Sequence, residues 1–261
     1  MVVFFIEESD NNRFFKKIET NKDRIIIHTN TEKINKKLMC RINKILDNNN
    51  CKKVIISNKL KQNKMFLNSL YSNNIDICDG KKLYKKLIQE IIIKICNKEQ
   101  LNPKQCQISI TVNYLDGNVT KLIDNLSKKF KVLNIVTNNM DSFKQIKEKL
   151  YENNGIIITV TNNKRKALLK SDLIVNYDFS EEVLNKYVIK DNAIIINTEA
   201  PINIHKKRFI GKIINDIDIS FVPSSKIALE LKKEKYNIFD LKDLAEIYVT
   251  KYPEEINNII I

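Results

Sequence analysis

The chain has 261 residues, 43% of them hydrophobic and 29% charged, the balance of a folded globular protein, which excludes a disordered tail or linker. Four Gly, four Pro and no Trp exclude collagen-like and low-complexity chains and argue against an all-β sandwich, whose many turns need both residues. The formal charge of +14 suggests an anionic partner, yet only Arg13, Arg24, Arg41, Arg165 and Arg208 are arginines, and Lys, Asn and Ile are raised together as A/T-rich codons raise them. A surface that reads phosphates and guanines uses the bidentate guanidinium more heavily, so nucleic acid is expected to be at most a weak, unselective partner.

In chain order, the run Val2 to Ile6 is too short for a secretory apolar segment, has no basic flank and is followed by Glu7, Glu8 and Asp10; it is expected to be a strand. Further Ile- and Val-rich runs at Arg24 to His28, Val54 to Ser57, Ile75 to Cys78 and Ile108 to Asn113 are expected strands. Between them, Glu32 to Leu46 sets Ile34, Leu38, Ile42 and Ile45 on one face, and Lys82 to Cys96 does the same with Leu83, Leu87, Ile91 and Ile95, which predicts two amphipathic helices. The polar segment Lys98 to Lys104, with the first proline at Pro103, is the expected hinge, giving an N-terminal α/β lobe over residues 1–103 and a C-terminal lobe over 104–261.

The second half alternates more regularly. Strands are expected at Lys131 to Thr137, Gly155 to Thr161, Asp172 to Asn176, Ala193 to Asn197 and Lys212 to Asn215. Helices are expected at Asp141 to Glu152, Lys164 to Lys170, Glu181 to Tyr187, Ser224 to Lys235 and Asp240 to Val249, with Ser224 and Asp240 as N-caps. Gly155 is placed to end a helix in the left-handed conformation. This alternation predicts an α/β fold of two lobes with a parallel sheet and flanking helices in the C-terminal lobe. No run approaches the roughly 18 apolar residues of a membrane span, so the expected setting is reducing and cytoplasmic, with no membrane partner.

From Lys131 to about Phe221 the chain resembles the NADP-binding, Rossmann-like domain shared by shikimate dehydrogenases and glutamyl-tRNA reductases. The resemblance rests on Val132 to Thr137, on Ile158-Thr159-Val160-Thr161-Asn162-Asn163-Lys164-Arg165, on Ser171-Asp172-Leu173-Ile174-Val175-Asn176, and on Ala193 to Asn197 leading to Pro201. It implies NADP as cofactor, with its 2′-phosphate near the cluster Lys164-Arg165-Lys166. The departure is at Thr137-Asn138-Asn139-Met140-Asp141-Ser142-Phe143, where a dinucleotide-binding turn carries G-x-G-x-x-G and this chain carries no glycine. The N-V-T-x-P-x-K and S-T-C-N-R segments that hold the catalytic groups of those enzymes are absent as well.

The candidate cofactor- or ligand-binding residues are therefore Thr137, Asn138, Asn139, Asn162, Lys164 and Arg165, and the segments expected to border a ligand are Thr137 to Met140, Thr161 to Arg165, Asn176 to Phe179 and Asn197 to Pro201, at carboxyl ends of strands, where ligands of open parallel sheets lie. Short Asn and Thr side chains there suit a small polar ligand or nucleotide. The expected function is a degenerate, non-catalytic binding protein, beside an NADP-dependent oxidoreductase of a small polar metabolite and a weak nucleic-acid binder. Five cysteines with no C-x-x-C pair predict neither a zinc site nor a disulfide framework. Cys78 is expected to be a small buried thiol, His28 a structural residue and His205 an exposed one. Asp76 with Asp79 form one carboxylate pair. Asp216 with Asp218, alternating with Ile217 and Ile219, form another that shares one side of an extended segment.

Overall fold

The computed structural model describes residues 2–7, 15–21, 24–29, 34–221, 239–248 and 256–261. They form two compact units, Met1–Leu83 with Ile219–Asn258, and Tyr84–Asp218 with Ile259–Ile261. The polar segment Lys98 to Lys104 lies inside the second unit.

The first unit holds β1 (Val2–Glu7), β2 (Phe15–Asn21), β3 (Arg24–Thr29), α1 (Lys36–Asn48), β4 (Lys53–Ile56), α2 (Lys64–Ser72) and β5 (Asp76–Ile77). Its sheet has the order β2-β3-β1-β4-β5, parallel except for β2, which pairs antiparallel with β3 at the edge. Sequence patterning passes over β2 because Lys16, Lys17 and Glu19 dilute its apolar signal, as charges on edge strands do. Helix α1 starts at Asn35, whose side chain accepts from Leu38 N at 3.0 Å, and buries Leu38, Met39, Ile42 and Leu46. Such an amide cap is worth about 1 kcal/mol. Helix α2 repeats the device with Asn63 and buries Phe66 and Leu70 in the same core.

The second unit begins within α3 (Lys81–Lys86), followed by α4 (Ile88–Lys98). The single helix expected over Lys82 to Cys96 is broken at Leu87, whose ψ of 3° leaves the helical region. There follow β6 (Gln107–Thr111), α5 (Gly117–Ser127), β7 (Val132–Val136), α6 (Met140–Asn154), β8 (Thr159–Thr161), α7 (Lys164–Lys170), β9 (Leu173–Asn176), α8 (Glu181–Lys186), β10 (Ile194–Asn197) and β11 (Lys212–Ile214). These six strands form one parallel sheet in the order β11-β10-β9-β6-β7-β8. Counted from β6 the order is 6-5-4-1-2-3, that of the doubly wound dinucleotide-binding fold. Every residue of β9 and β10 is buried, which is why both appear in the sequence as unbroken apolar runs rather than alternating ones.

Local chemistry fixes this register. Asp172, just before β9, accepts from Gln107 N at 2.8 Å and receives the Lys190 ammonium, tying the start of β9 to the start of β6. One layer deeper, the Ser109 and Ser171 hydroxyls meet at 2.6 Å, Asn134 Nδ2 donates to Ser109 at 3.2 Å, and Ser171 donates to Ala167 O. Gly155 ends α6 in the left-handed conformation at φ 65°, as expected, but residues 155–158 stay outside the sheet and β8 is confined to Thr159–Thr161.

Beyond the six-stranded sheet, β12 (Asp218–Phe221) pairs with β13 (Ile256–Ile260) in a two-stranded ribbon, and α9 (Leu241–Tyr248) lies between them in sequence. Phe239 and Leu244 pack with Ile55 and Cys78 in the first unit. The helix expected over Ser224 to Lys235 lies outside the described residues.

Candidate functional site at the strand-order reversal

In the six-stranded sheet the chain runs outward from β6 through β7 to β8, then returns to place β9 on the other side of β6. The loops after β6 and β9 therefore diverge, and the carboxyl ends of these two strands border the crevice of the fold. The turn in the glycine-rich position is the one between β6 and α5, Val112 to Gly117, and not Thr137 to Phe143, because Val132–Val136 is the second strand of the sheet. Gly117 is the lone glycine of that turn, and Asp116 caps α5 by accepting from Val119 N at 2.7 Å.

Four loop ends are joined here by one polar chain. Asp178, after β9, accepts from Asn113 N at 2.6 Å and Tyr114 N at 3.0 Å, and from Asn113 Nδ2 at 3.2 Å. Asn113 Oδ1 accepts from Asn138 N at 2.9 Å, and Asn138 Oδ1 accepts from Lys164 Nζ at 2.5 Å. Lys164 is only 8% exposed, and its ammonium faces the rings of Phe179 at 5.8 Å and Tyr187 at 5.5 Å. Burial raises the Asp178 carboxyl above the ordinary range, against the lowering effect of its two backbone N–H donors.

Beside this chain stands Tyr177, 5% exposed, whose buried hydroxyl has no hydrogen-bond partner among the described residues. Its phenol is pushed up to about 12, first by burial and then by the negative charges of Asp116, Glu199 and Asp178. Lys85 lies 4.8 Å over the Tyr177 ring and pairs with Glu199 at 2.5 Å.

The neighbouring strand ends look similar in sequence and differ in chemistry. Asn176 at the end of β9 is fully buried, accepts from Thr111 Oγ1 at 2.7 Å and Phe179 N at 3.1 Å, and donates to Phe179 O and Asn197 Oδ1, both at 2.8 Å. Asn197 at the end of β10 donates in turn to Ala200 O at 2.8 Å and Asn215 Oδ1 at 2.9 Å, and Asn215 exchanges two bonds with Ile202. This ladder of amides replaces the missing backbone bonds beyond the sheet.

Of the residues singled out from sequence, the structure brings Asn138 and Lys164 together. Thr137 is buried at the end of β7, where its Oγ1 accepts from Asn139 N at 3.0 Å. Asn139, Asn162 and Arg165 are exposed, the last on the first turn of α7 at the end of β8, the outermost strand on that side. The residues that patterning missed are Asn113, Tyr114, Asp116 and Lys85, whereas Tyr177, Asp178 and Glu199 fall in the strand-end segments Asn176 to Phe179 and Asn197 to Pro201. A sequence signal existed for the first three: the strand at 108–113 followed by Asp116-Gly117 is a turn running into a capped helix.

The remaining candidates have structural roles. Cys78 is buried and its thiol is pushed up to about 12, chiefly by burial, so it is not poised as a nucleophile. Asp76 pairs with Lys82, and Asp79 with Lys81 at 3.3 Å. Asp216 and Asp218 are exposed while Ile217 and Ile219 are buried, the alternation expected from sequence. His205 is exposed and bonded to Glu181 at 3.1 Å.

No described protein family and no curated protein matches the chain. Among solved structures it is similar to an L-tryptophan dehydrogenase from Nostoc punctiforme, with 12% identity and a TM-score of 0.36 over 89% of this chain and 72% of that one. It is also similar to a D-mandelate dehydrogenase from Rhodotorula graminis, with 10% identity and a TM-score of 0.38 over 80% and 76% of the two chains. An ornithine carbamoyltransferase from Pyrococcus furiosus aligns with 9% identity and a TM-score of 0.32 over 95% and 83%. The strand order of the second unit by itself defines a Rossmann-like α/β fold. Among the described residues no helix is long and apolar enough to cross a membrane.

Proposed function

We propose that the second unit is a ligand-binding module that holds a small polar molecule at the carboxyl ends of β6 and β9, and that its role is binding rather than catalysis. The observation that carries this reading is the Tyr177 hydroxyl, buried without a partner among the described residues beside the strand-order reversal. Leaving such a group unsatisfied costs about 1–3 kcal/mol, and a ligand that completes its bonding accounts for its retention.

Two features speak against a dinucleotide held in the usual way. The N-cap of α5 is the Asp116 carboxylate, which repels a pyrophosphate where the helix would otherwise attract one. The Lys164 ammonium is engaged by Asn138 and two aromatic faces instead of standing open to a phosphate. Arg165, exposed at the start of α7, is the one candidate of the cofactor set that favours the second reading, an NADP-dependent oxidoreductase.

Calorimetric titration of the full chain with NADPH and NADP, beside a set of small polar metabolites, separates the two. The expected result is saturable binding of a small metabolite and none of the cofactor up to millimolar concentration. Saturable NADPH binding that is lost in Arg165→Ala would replace the first reading with the second.

A further inference from the structure

The crevice has a sign, and it is opposite to that of the protein. Against a formal charge of +14 for the chain, three carboxylates, Asp116, Asp178 and Glu199, act on the Tyr177 phenol. One ammonium, Lys85, answers them, and it is paired to Glu199. The other nearby cation, Lys164, is turned to Asn138 and to the Phe179 and Tyr187 rings. Among the described residues Asp116 and Asp178 form no ion pair: the first caps α5, and the second accepts from Asn113 and Tyr114.

We propose that the crevice takes a small ligand bearing a protonated primary amine, received by the partnerless Tyr177 hydroxyl oxygen and by the carboxylates of Asp178 and Asp116. The inference deepens the binding role proposed above and rests on it. An alkylammonium presents three N–H donors, and the crevice offers acceptors: one phenol oxygen and two carboxylates that form no ion pair among the described residues, although Lys85 acts on Asp178. The phenol stays protonated at neutral pH, since burial pushes it up to about 12, so it acts as a neutral acceptor and not as an anion. An inorganic cation is a poorer match, because among the described residues no three His, Cys, Asp or Glu side chains converge to hold one.

The test is an amide NMR titration of the full chain with three probes at equal concentrations: ethanolamine, ethylene glycol and inorganic pyrophosphate. The expected result is a saturable shift of the Asn113, Tyr114 and Asp178 amides with ethanolamine, a much weaker one with the glycol and none with pyrophosphate. Tyr177→Phe, which removes only the partnerless oxygen and leaves the packing ring, weakens ethanolamine about tenfold, and Asp178→Asn does so by at least as much. Pyrophosphate shifting these amides while ethanolamine does not would overturn the amine and leave the crevice standing as the site. Silence of these amides with every probe, or an unchanged affinity in Tyr177→Phe, would overturn the proposal, and the silence would remove the binding reading with it.

Discussion

The carboxyl ends of β9 to β11 and the crevice between β6 and β9 are both rich in short polar side chains, yet they answer different needs. Along the first, Asn176, Asn197 and Asn215 bond to one another and to loop carbonyls, so the polarity is consumed in holding the loops. In the second, Asp178, Asn113, Asn138 and Lys164 form an equally closed chain, but Tyr177 beside it keeps a buried hydroxyl with no partner among the described residues. Polar residues at strand ends therefore do not mark a site by their number. What distinguishes the crevice from the ladder is the one hydroxyl, Tyr177, left without a partner among the described residues.

Replacing a rung of the closed ladder should have the largest effect. Asn176→Ala strips partners from Thr111, Phe179 and Asn197 at once, in a site that water does not reach. We expect it to lower unfolding stability by about 3 kcal/mol, read from the urea midpoint. A loss below about 1 kcal/mol would mean that the ladder is not what holds these loops.

The second largest effect concerns another incompletely bonded group, in the first unit. Asp243 is fully buried, its Oδ2 faces Lys61, its Oδ1 has no partner among the described residues, and burial raises its carboxyl to about 6 despite that lysine. A carboxyl raised on folding makes the folded state bind the proton more tightly. Its contribution therefore falls as pH rises from the unfolded value of about 4 through the folded one, and is flat above. Going from pH 7 to pH 5 should stabilise the wild type by about 1 kcal/mol relative to Asp243→Asn, measured by parallel denaturant titrations. Identical pH profiles for the two proteins would contradict it. Unlike the Tyr177 oxygen, this group has an explanation that needs no ligand.

A smaller effect sharpens the contrast from the exposed side. Asn162→Leu, at a strand end that stands open to solvent, should change stability by less than about 0.5 kcal/mol and leave ligand affinity unaltered. A marked loss of affinity would move the site out to the end of β8.

The sequence made the fold legible because Ile and Val runs such as Leu173–Asn176 and Ile194–Asn197 are buried on both faces, and only parallel strands under helices need that. It made β2 and α5 hard to see, the first for its charges and the second because Gly117, Asn118 and Thr120 are poor helix formers rescued by the Asp116 cap. The crevice was the least legible part. Asp178 reaches Asn113 across 65 positions of sequence, and it does so only because β9 docks on β6 instead of continuing past β8. That pairing is a long-range choice which no local pattern records. Asn138 and Lys164 could be named from strand-end position and polarity, whereas Tyr177, within the strand-end segment Asn176 to Phe179, looks like one more core aromatic until its oxygen is found without a partner among the described residues.

On the binding reading, the Tyr177 hydroxyl costs the free protein stability and a ligand completes its bonding. The most direct test compares Tyr177→Phe with the wild type in two assays, denaturant unfolding without ligand and ethanolamine titration. The variant is expected to be more stable by about 1 kcal/mol, since a buried unsatisfied group is removed and the ring stays, and to bind the amine more weakly. A variant less stable than the wild type by a similar amount, with unchanged binding, would show that the hydroxyl already has its partner within the fold, and the crevice would no longer be the site.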